Sequence, residues 1–203
     1  VPLSQSQFTF PVELEGADKF TELAAVYHNA EPVLHADEIN AVLDAMAEAL
    51  ASRLSEKNPV VLCLVNGGII VTGHLLPRMA YPLTLDYLHI TRYNNQLEGG
   101  EVAVIAQPKS SLAGRDVLLL DDILDGGLTL SAAVHFCQEA GAKRIHTAVL
   151  LDKTATRVPG GLPAADVAGY AIEDGYVFGF GLDYQGYFRN LPGIYRASES
   201  SAT

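Results

Sequence analysis

Residues 117–129 read Val-Leu-Leu-Leu-Asp-Asp-Ile-Leu-Asp-Gly-Gly-Leu-Thr. The four leading apolar residues have the unbroken hydrophobicity of a strand buried on both faces, and they deliver Asp121 and Asp122 to its end. Asp125 then enters the pair Gly126-Gly127, where a helical pattern opens with Leu128 and Thr129. Amides at a helix start are unpaired donors that bind phosphate, and glycine lets such an anion approach the main chain. Carboxylates beside an anion site repel its ligand unless they serve another part of it. Sugar hydroxyls, a reacting proton or Mg²⁺ would each give them work. The plain alternative is a solvated acidic turn closing a strand.

Two other segments invite a similar reading. Val65-Asn66-Gly67-Gly68 ends an apolar run with small residues whose amides can face an anion, although a tight strand-to-helix turn would look the same. The stretch Thr91 to Gly100 is polar, ends in glycine and has no periodicity, as a lid over a reactive centre or a long hairpin would be. Cys63 and Cys137 each sit in an apolar stretch and read as reduced core residues, and the six histidines show no metal-ligand spacing. An Asp-Asp-x-x-Asp run also occurs in the Mg²⁺-diphosphate sites of isoprenoid synthases. There it lies within a helix of an all-helical protein, so the strand before it and the glycines after it exclude that reading here.

The elements that must hold these residues follow from periodicity. The first 35 residues are expected to be irregular, apart from a short apolar patch at Leu23–Tyr27. Ile39, Val42, Leu43, Met46, Leu50 and Leu54 recur at helical spacing behind Asp37. Strands are then expected at Val60–Val65, Leu83–Ile90, Val102–Ala106, Val117–Leu120 and Ile145–Leu151, with helices after Gly68 and over Leu128–Ala140. Gly141 suits the position just past a helix. Short runs at Val167–Ile172 and Tyr176–Leu182 close the pattern. Strands alternating with helices predict an α/β fold with a mainly parallel sheet covered on both faces, whose ligands sit at the carboxyl ends of the strands.

Composition narrows the function classes. Among 203 residues, 49% are hydrophobic and 18% charged, which supports a real core and one domain. No apolar run reaches the ~18 residues of a membrane span, and Val1–Phe10 shows no secretory pattern. The formal charge of −11 opposes a polynucleotide partner. It is unevenly spread: residues 1–56 hold 10 acids and two bases, the rest 14 acids and 11 bases. Most of the acidity therefore lies outside the region with the candidate anion sites.

Residues 117–129 closely resemble the signature of the type I phosphoribosyltransferases, which is four apolar residues, two acids, two mostly apolar positions, Asp, a small residue, Gly, any residue and Thr. From about Pro32 to Arg196 the chain is similar to the hypoxanthine-guanine branch. The resemblance implies a twisted, mainly parallel sheet flanked by helices, with a core of about 36–152 and a small hood from about 1–35 and 153–196, all within one domain. It implies transfer of 5-phosphoribosyl from phosphoribosyl pyrophosphate (PRPP) to a 6-oxopurine, hypoxanthine and guanine, with Mg²⁺ as cofactor and pyrophosphate released. Asp121 and Asp122 would hold the ribose hydroxyls, Asp125 would take the purine N7 proton, and Asp125, Gly126, Gly127, Leu128 and Thr129 would cradle the 5′-phosphate. Val65, Asn66, Gly67 and Arg189 would meet pyrophosphate, with a non-proline cis peptide at Val65–Asn66. Lys153 would donate to the 6-oxo group, Tyr176 would stack on the base, Val177 and Asp183 would border it, and Asp183 with Asp121 and Asp122 would serve the metal. Thr91, Arg92 and Tyr93 match the lid. The resemblance also implies a cytoplasmic homodimer or homotetramer without nucleic-acid or membrane partners.

Three positions depart from the pattern. Asn66 stands where a basic residue is common, Gly126 where Thr is common and Leu128 where Lys is frequent, so one hydroxyl donor to the phosphate is missing and weaker PRPP affinity is expected. Two alternatives stay open: a transferase preferring another base such as xanthine, and a PRPP-sensing regulator of the same fold. The regulator would need an added DNA-binding module or a basic RNA surface, and the sequence offers neither.

Overall fold

The computed structural model describes residues 8–10, 17–92 and 102–198. In chain order the elements are α1 (Ala17–His28), β1 (Glu31–Leu34), α2 (Ala36–Leu54), β2 (Val60–Leu64), α3 (Gly68–Leu75), β3 (Thr84–Arg92), β4 (Val102–Ala106), β5 (Asp116–Leu124), α4 (Leu128–Glu139), β6 (Arg144–Asp152), β7 (Val167–Ala171), β8 (Val177–Phe178) and β9 (Ile194–Arg196). Short 3₁₀ turns follow α3 at Leu76–Arg78 and β6 at Thr154–Thr156. The chain separates into two compact units, 40–174 and the terminal segments 1–39 with 175–203.

The larger unit is built on a six-stranded sheet in the order β4-β3-β2-β5-β6-β7. Its strands run parallel except β4, which pairs antiparallel with β3 at the edge. Every residue of β2 is buried, as its run Val-Val-Leu-Cys-Leu requires. Val60, Leu62, Val117, Leu119 and Val149 form one packed cluster with Leu130, Ala133 and Cys137 of α4. That helix begins at Gly127 and ends in a Schellman motif, in which Gly141 (φ 78°) donates to Gln138 and Ala142 donates to Cys137, both at 3.0 Å. On β7, a Cβ at Gly169 would stand 2.7 Å from the Leu150 carbonyl oxygen, Met46 Sδ and Val42 Cγ1. Helix α2 thus lies directly on the strand backbone.

The terminal unit carries a second sheet, antiparallel, in the order β1-β9-β8. Pro32 lies in β1 at its edge, where a missing N–H is tolerated. Leu23, Val26 and Tyr27 of α1 close an aromatic core with Phe178, Tyr184, Phe188 and Tyr195.

Several expectations are corrected. Residues 17–28 are helical, because Leu23 and Tyr27 sit one turn apart and complete a buried face with Val26. Strand β5 does not stop at Leu120; its pairing with β6 continues through Asp121↔Val149 and Ile123↔Leu151 to Leu124↔Asp152, so both acids lie within the strand. Thr91 and Arg92, expected in a loop, are the last residues of β3 and pair with Ala103 and Val102, while Tyr93 lies outside the described residues. Residues 153–174 group with the larger unit, because β7 is its sixth strand. Strand β9 has no counterpart in the sequence reading. No helix among the described residues is long and apolar enough to cross a membrane.

The tight seat of Gly169 gives a test of the α2 packing. Gly169→Ala forces a methyl group between strand and helix, and unfolding in denaturant is expected to show a loss of about 1–3 kcal/mol, typical of overpacking.

Candidate active site

The carboxyl ends of β2, β5 and β6 place the groups singled out above. Asp121 and Asp122 are adjacent in a strand, so their side chains leave opposite faces of the sheet. The Asp122 amide donates to Asp121 Oδ1 at 3.0 Å, and Asp122 is only 8% exposed. Its carboxylate stands where a Cβ of Gly67 would project, so the absence of a side chain at position 67 leaves the room that Asp122 occupies. The Val65–Asn66 peptide just before it is cis. Helix α3 starts at Gly68, where a Cβ would lie 2.8 Å from the Leu120 carbonyl oxygen and 3.6 Å from Cys63 Sγ. Burial, reinforced by the charges of Asp121 and Asp122, pushes the Cys63 thiol above its ordinary value. It is therefore a neutral packing group. Cys137, pushed up to about 12 by burial, is inert for the same reason.

Beyond β5 the chain turns through Asp125, Gly126 and Gly127 into α4. Gly127 adopts φ 85°, and a Cβ there would sit 2.6 Å from the Leu162 carbonyl oxygen, so both conformation and space exclude a side chain. The Gly127 carbonyl accepts from Ser131 and Leu162 at 3.0 Å, and that of Gly126 accepts from Val158 at 3.2 Å. No side chain caps the N-terminus of α4. Its start borders a cavity of about 180 Å³ lined by Asp121–Gly127, Thr129 and Leu130, and the first amides of a helix are unpaired donors. A helix start and acidic residues thus border one small space.

Lys153, just past β6, is 8% exposed. Its Nζ lies 3.8 Å from Asp125 Oδ2 and 3.6 Å from Asp174 Oδ1. A lysine this buried is costly without such partners. Asp174 escaped the sequence reading because Glu-Asp-Gly has the composition of any turn.

The terminal unit holds the remaining candidates. Tyr176 is 42% exposed, and its ring meets Tyr184 edge-on at 5.3 Å. Its hydroxyl donates to the Asp183 carbonyl at 3.1 Å. Burial, then the Asp183 charge, raises the Tyr176 pKa, so the phenol stays protonated. Val177 is buried in β8. Asp183 pairs with Arg189 at 2.5 Å and accepts the Gly186 amide at 2.8 Å, while Arg189 donates to the Gly181 carbonyl at 2.6 Å.

Among the described residues no group of three or more His, Cys, Asp and Glu forms a metal cage. Asp121 and Asp122 nevertheless supply only oxygen donors, which suits Mg²⁺, an ion that characteristically takes one or two carboxylates and completes its shell with substrate phosphates and water.

Residues 34–185 match the family model described as phosphoribosyl transferase domain. The chain belongs to that family, a class of transferases. It is 34% identical over 172 residues to the hypoxanthine-guanine phosphoribosyltransferase of Bacillus subtilis (strain 168), covering 82% of this chain and 93% of the relative. Its kinship within the family is thus with the hypoxanthine-guanine phosphoribosyltransferases. It is also 29% identical over 167 residues to the hypoxanthine-guanine-xanthine phosphoribosyltransferase of Tritrichomonas foetus, with coverages of 82% and 91%. A crystal structure of a hypoxanthine phosphoribosyltransferase from Staphylococcus aureus superposes with a TM-score of 0.82 at 26% identity, covering 88% of this chain and 97% of that one.

Gly67→Ala tests the packing of the candidate carboxylate. The new methyl group is expected to evict Asp122 from its place, visible in a crystal structure of the variant, and to lower transferase activity roughly tenfold or more. Thermal unfolding should shift little, because the displaced group can rotate.

Proposed function

We propose that this chain transfers the 5-phosphoribosyl group of PRPP to hypoxanthine and guanine, giving the purine nucleotide and pyrophosphate. The reading is carried by the junction of β5 and α4, where a carboxylate held beside a buried lysine borders a glycine-opened helix start over a small cavity. In the reaction, the bond from the anomeric carbon to pyrophosphate breaks as the bond to a purine nitrogen forms. Positive charge develops on the ribose as in glycoside chemistry.

Each element of the site has a task in that change. The amides of Asp125–Thr129 and the Thr129 hydroxyl bind the 5′-phosphate, without the hydroxyl that Thr would add at Gly126 or the charge that Lys would add at Leu128. Asp121 and Asp122 accept from the ribose hydroxyls and fix the ring. Asp125 takes the N7 proton, which raises electron density on the attacking nitrogen, while Lys153 donates to the 6-oxo group and selects 6-oxopurines. Tyr176 offers an exposed ring face for stacking, with Val177 and Asp183 at the base edge. Val65, Asn66 and Gly67 offer main-chain donors to pyrophosphate, and Arg189 adds a positive charge. Asp121 and Asp122, and Asp183 once released from Arg189, would hold Mg²⁺, which when bound would neutralise charge on the departing pyrophosphate. Thr91, Arg92 and Tyr93 would shield the centre from water.

A second reading concerns the base alone: xanthine is named in the T. foetus relative, and nothing in Lys153 or Tyr176 discriminates against a 2-oxo group. We further place the protein in the cytoplasm, in keeping with its two buried free cysteines. A homodimer or homotetramer is supported by exposed Leu85, Tyr87 and Ile105 on β3 and β4.

A steady-state panel of hypoxanthine, guanine, xanthine and adenine with PRPP and Mg²⁺ tests the proposal. Turnover of hypoxanthine and guanine with pyrophosphate release is expected; PRPP binding without turnover of any base would point instead to a PRPP sensor. Asp125→Asn should lower kcat about a hundredfold while leaving PRPP affinity nearly unchanged. Removal of Mg²⁺ with a chelator should abolish turnover reversibly.

A further inference from the structure

We propose that Arg157 is the positioning residue that fixes the spacing between Asp125 and Lys153, the two groups that face neighbouring atoms of the purine in the function proposed above, on which this inference rests. Arg157 follows the 3₁₀ turn after β6. Its Nη1 donates to three carbonyls, those of Leu124 at 2.8 Å, Asp125 at 2.6 Å and Lys153 at 2.9 Å. Its Nε donates to the Pro163 carbonyl at 3.2 Å, and its Nη2 is paired with the Asp152 carboxylate. One nitrogen atom therefore bridges the main chains of the proton acceptor and of the lysine.

The neighbouring main chain is already sewn together without this residue. Lys153 donates to the Leu124 carbonyl at 3.0 Å, and the carbonyls of Gly126 and Gly127 accept from Val158 and Leu162. The Asp125 carbonyl is the acceptor between them, and it is Arg157 that holds it. N7 and O6 are separated by a fixed distance in a rigid ring, so a carboxylate and an ammonium serving them must be fixed equally well. Both side chains project from main chain that the guanidinium pins. A fork with donors on three nitrogens is required, which an ammonium cannot reproduce. The Asp152 carboxylate fixes the fork in turn, and both side chains are largely buried.

The test compares the parent with Arg157→Lys, Arg157→Gln and Asp152→Asn, each also combined with Asp125→Asn. Arg157→Gln is expected to lower kcat about a hundredfold and raise the KM for hypoxanthine about tenfold. Arg157→Lys should recover little of this, and Asp152→Asn should fall between. In the Asp125→Asn background, Arg157→Gln should cost no more than about threefold in kcat, because the proton acceptor it positions is already disabled, while the rise in KM through Lys153 should persist. Simple loss of folded protein would lower the amount of active enzyme without moving KM. Amide hydrogen exchange provides a readout independent of turnover: residues 124–129 and 153–157 should open together, about tenfold faster or more, while β2 is unchanged. A kcat/KM within about threefold of the parent, full additivity in kcat with Asp125→Asn, or unchanged exchange in both segments would overturn the proposal. Should Arg157→Gln fail to fold, Asp152→Asn carries the same comparisons. If the parent turns over no 6-oxopurine, the functional reading falls, and the exchange data alone decide whether Arg157 clamps the two segments.

Discussion

The register in which β5 pairs with β6 governs the arrangement of this site. Leu124 lies opposite Asp152 in a parallel ladder, so the next residue on each strand is Asp125 and Lys153, and the Lys153 amide closes the ladder on the Leu124 carbonyl. A slip of one residue would turn the apolar side chains of β5 to the wrong faces of a sheet buried on both. Hydrophobic burial along the strands therefore dictates which charged groups meet at their carboxyl ends. The carboxylate and the ammonium are neighbours because Val117, Leu119 and Val149 share a core.

Placing charge at the end of such strands is expensive, and the structure meets the cost locally. Asp122, Asp152 and Lys153 are all nearly inaccessible. Asp152 is matched by Arg157, and Lys153 by two carboxylates. Removing one partner from such a set leaves an uncompensated buried charge, which is the strongly destabilising case. Glycine supplies the remaining condition. At positions 67, 68 and 127 a side chain would meet a carboxylate or main-chain atoms, so the absence of side chains makes room for charge and for backbone donors.

Sequence showed the larger unit well because its signals are redundant. Continuous apolar runs mark β2 and β5, helical spacing marks α2 and α4, and Gly141 ends α4 with the motif its position suggested. The residues of 117–129 also named their own chemistry through acids and glycines in a fixed order. Signals failed where geometry depends on distant partners. The acids at the end of β5 look like loop residues until β6 is known to run beside them. Helix α1 shows a short apolar face that gains meaning only against the aromatic residues of 178–195, and β9 is three residues long. Asp174 and Arg157 carry no local signature at all. They matter through side-chain and carbonyl contacts that arise only once β6 and β7 lie in the sheet, and the resemblance that marked Lys153 and Arg189 had no motif to offer for them.

The back-to-back seating of the turn at residues 125–127 on residues 158–162 reaches beyond catalysis to how this protein can be rebuilt. Gly127 meets Leu162 through main chain on both sides, and Gly161 faces the Gly126 carbonyl with equally little room. Neither segment can accept a side chain at the seam unless the other retreats, so substitutions there are not independent events. A designer who grafted only the signature residues 117–129 into another α/β sheet would move half of a matched pair. The transferable module is the signature together with the loop behind it, and its minimum length is set by that seam.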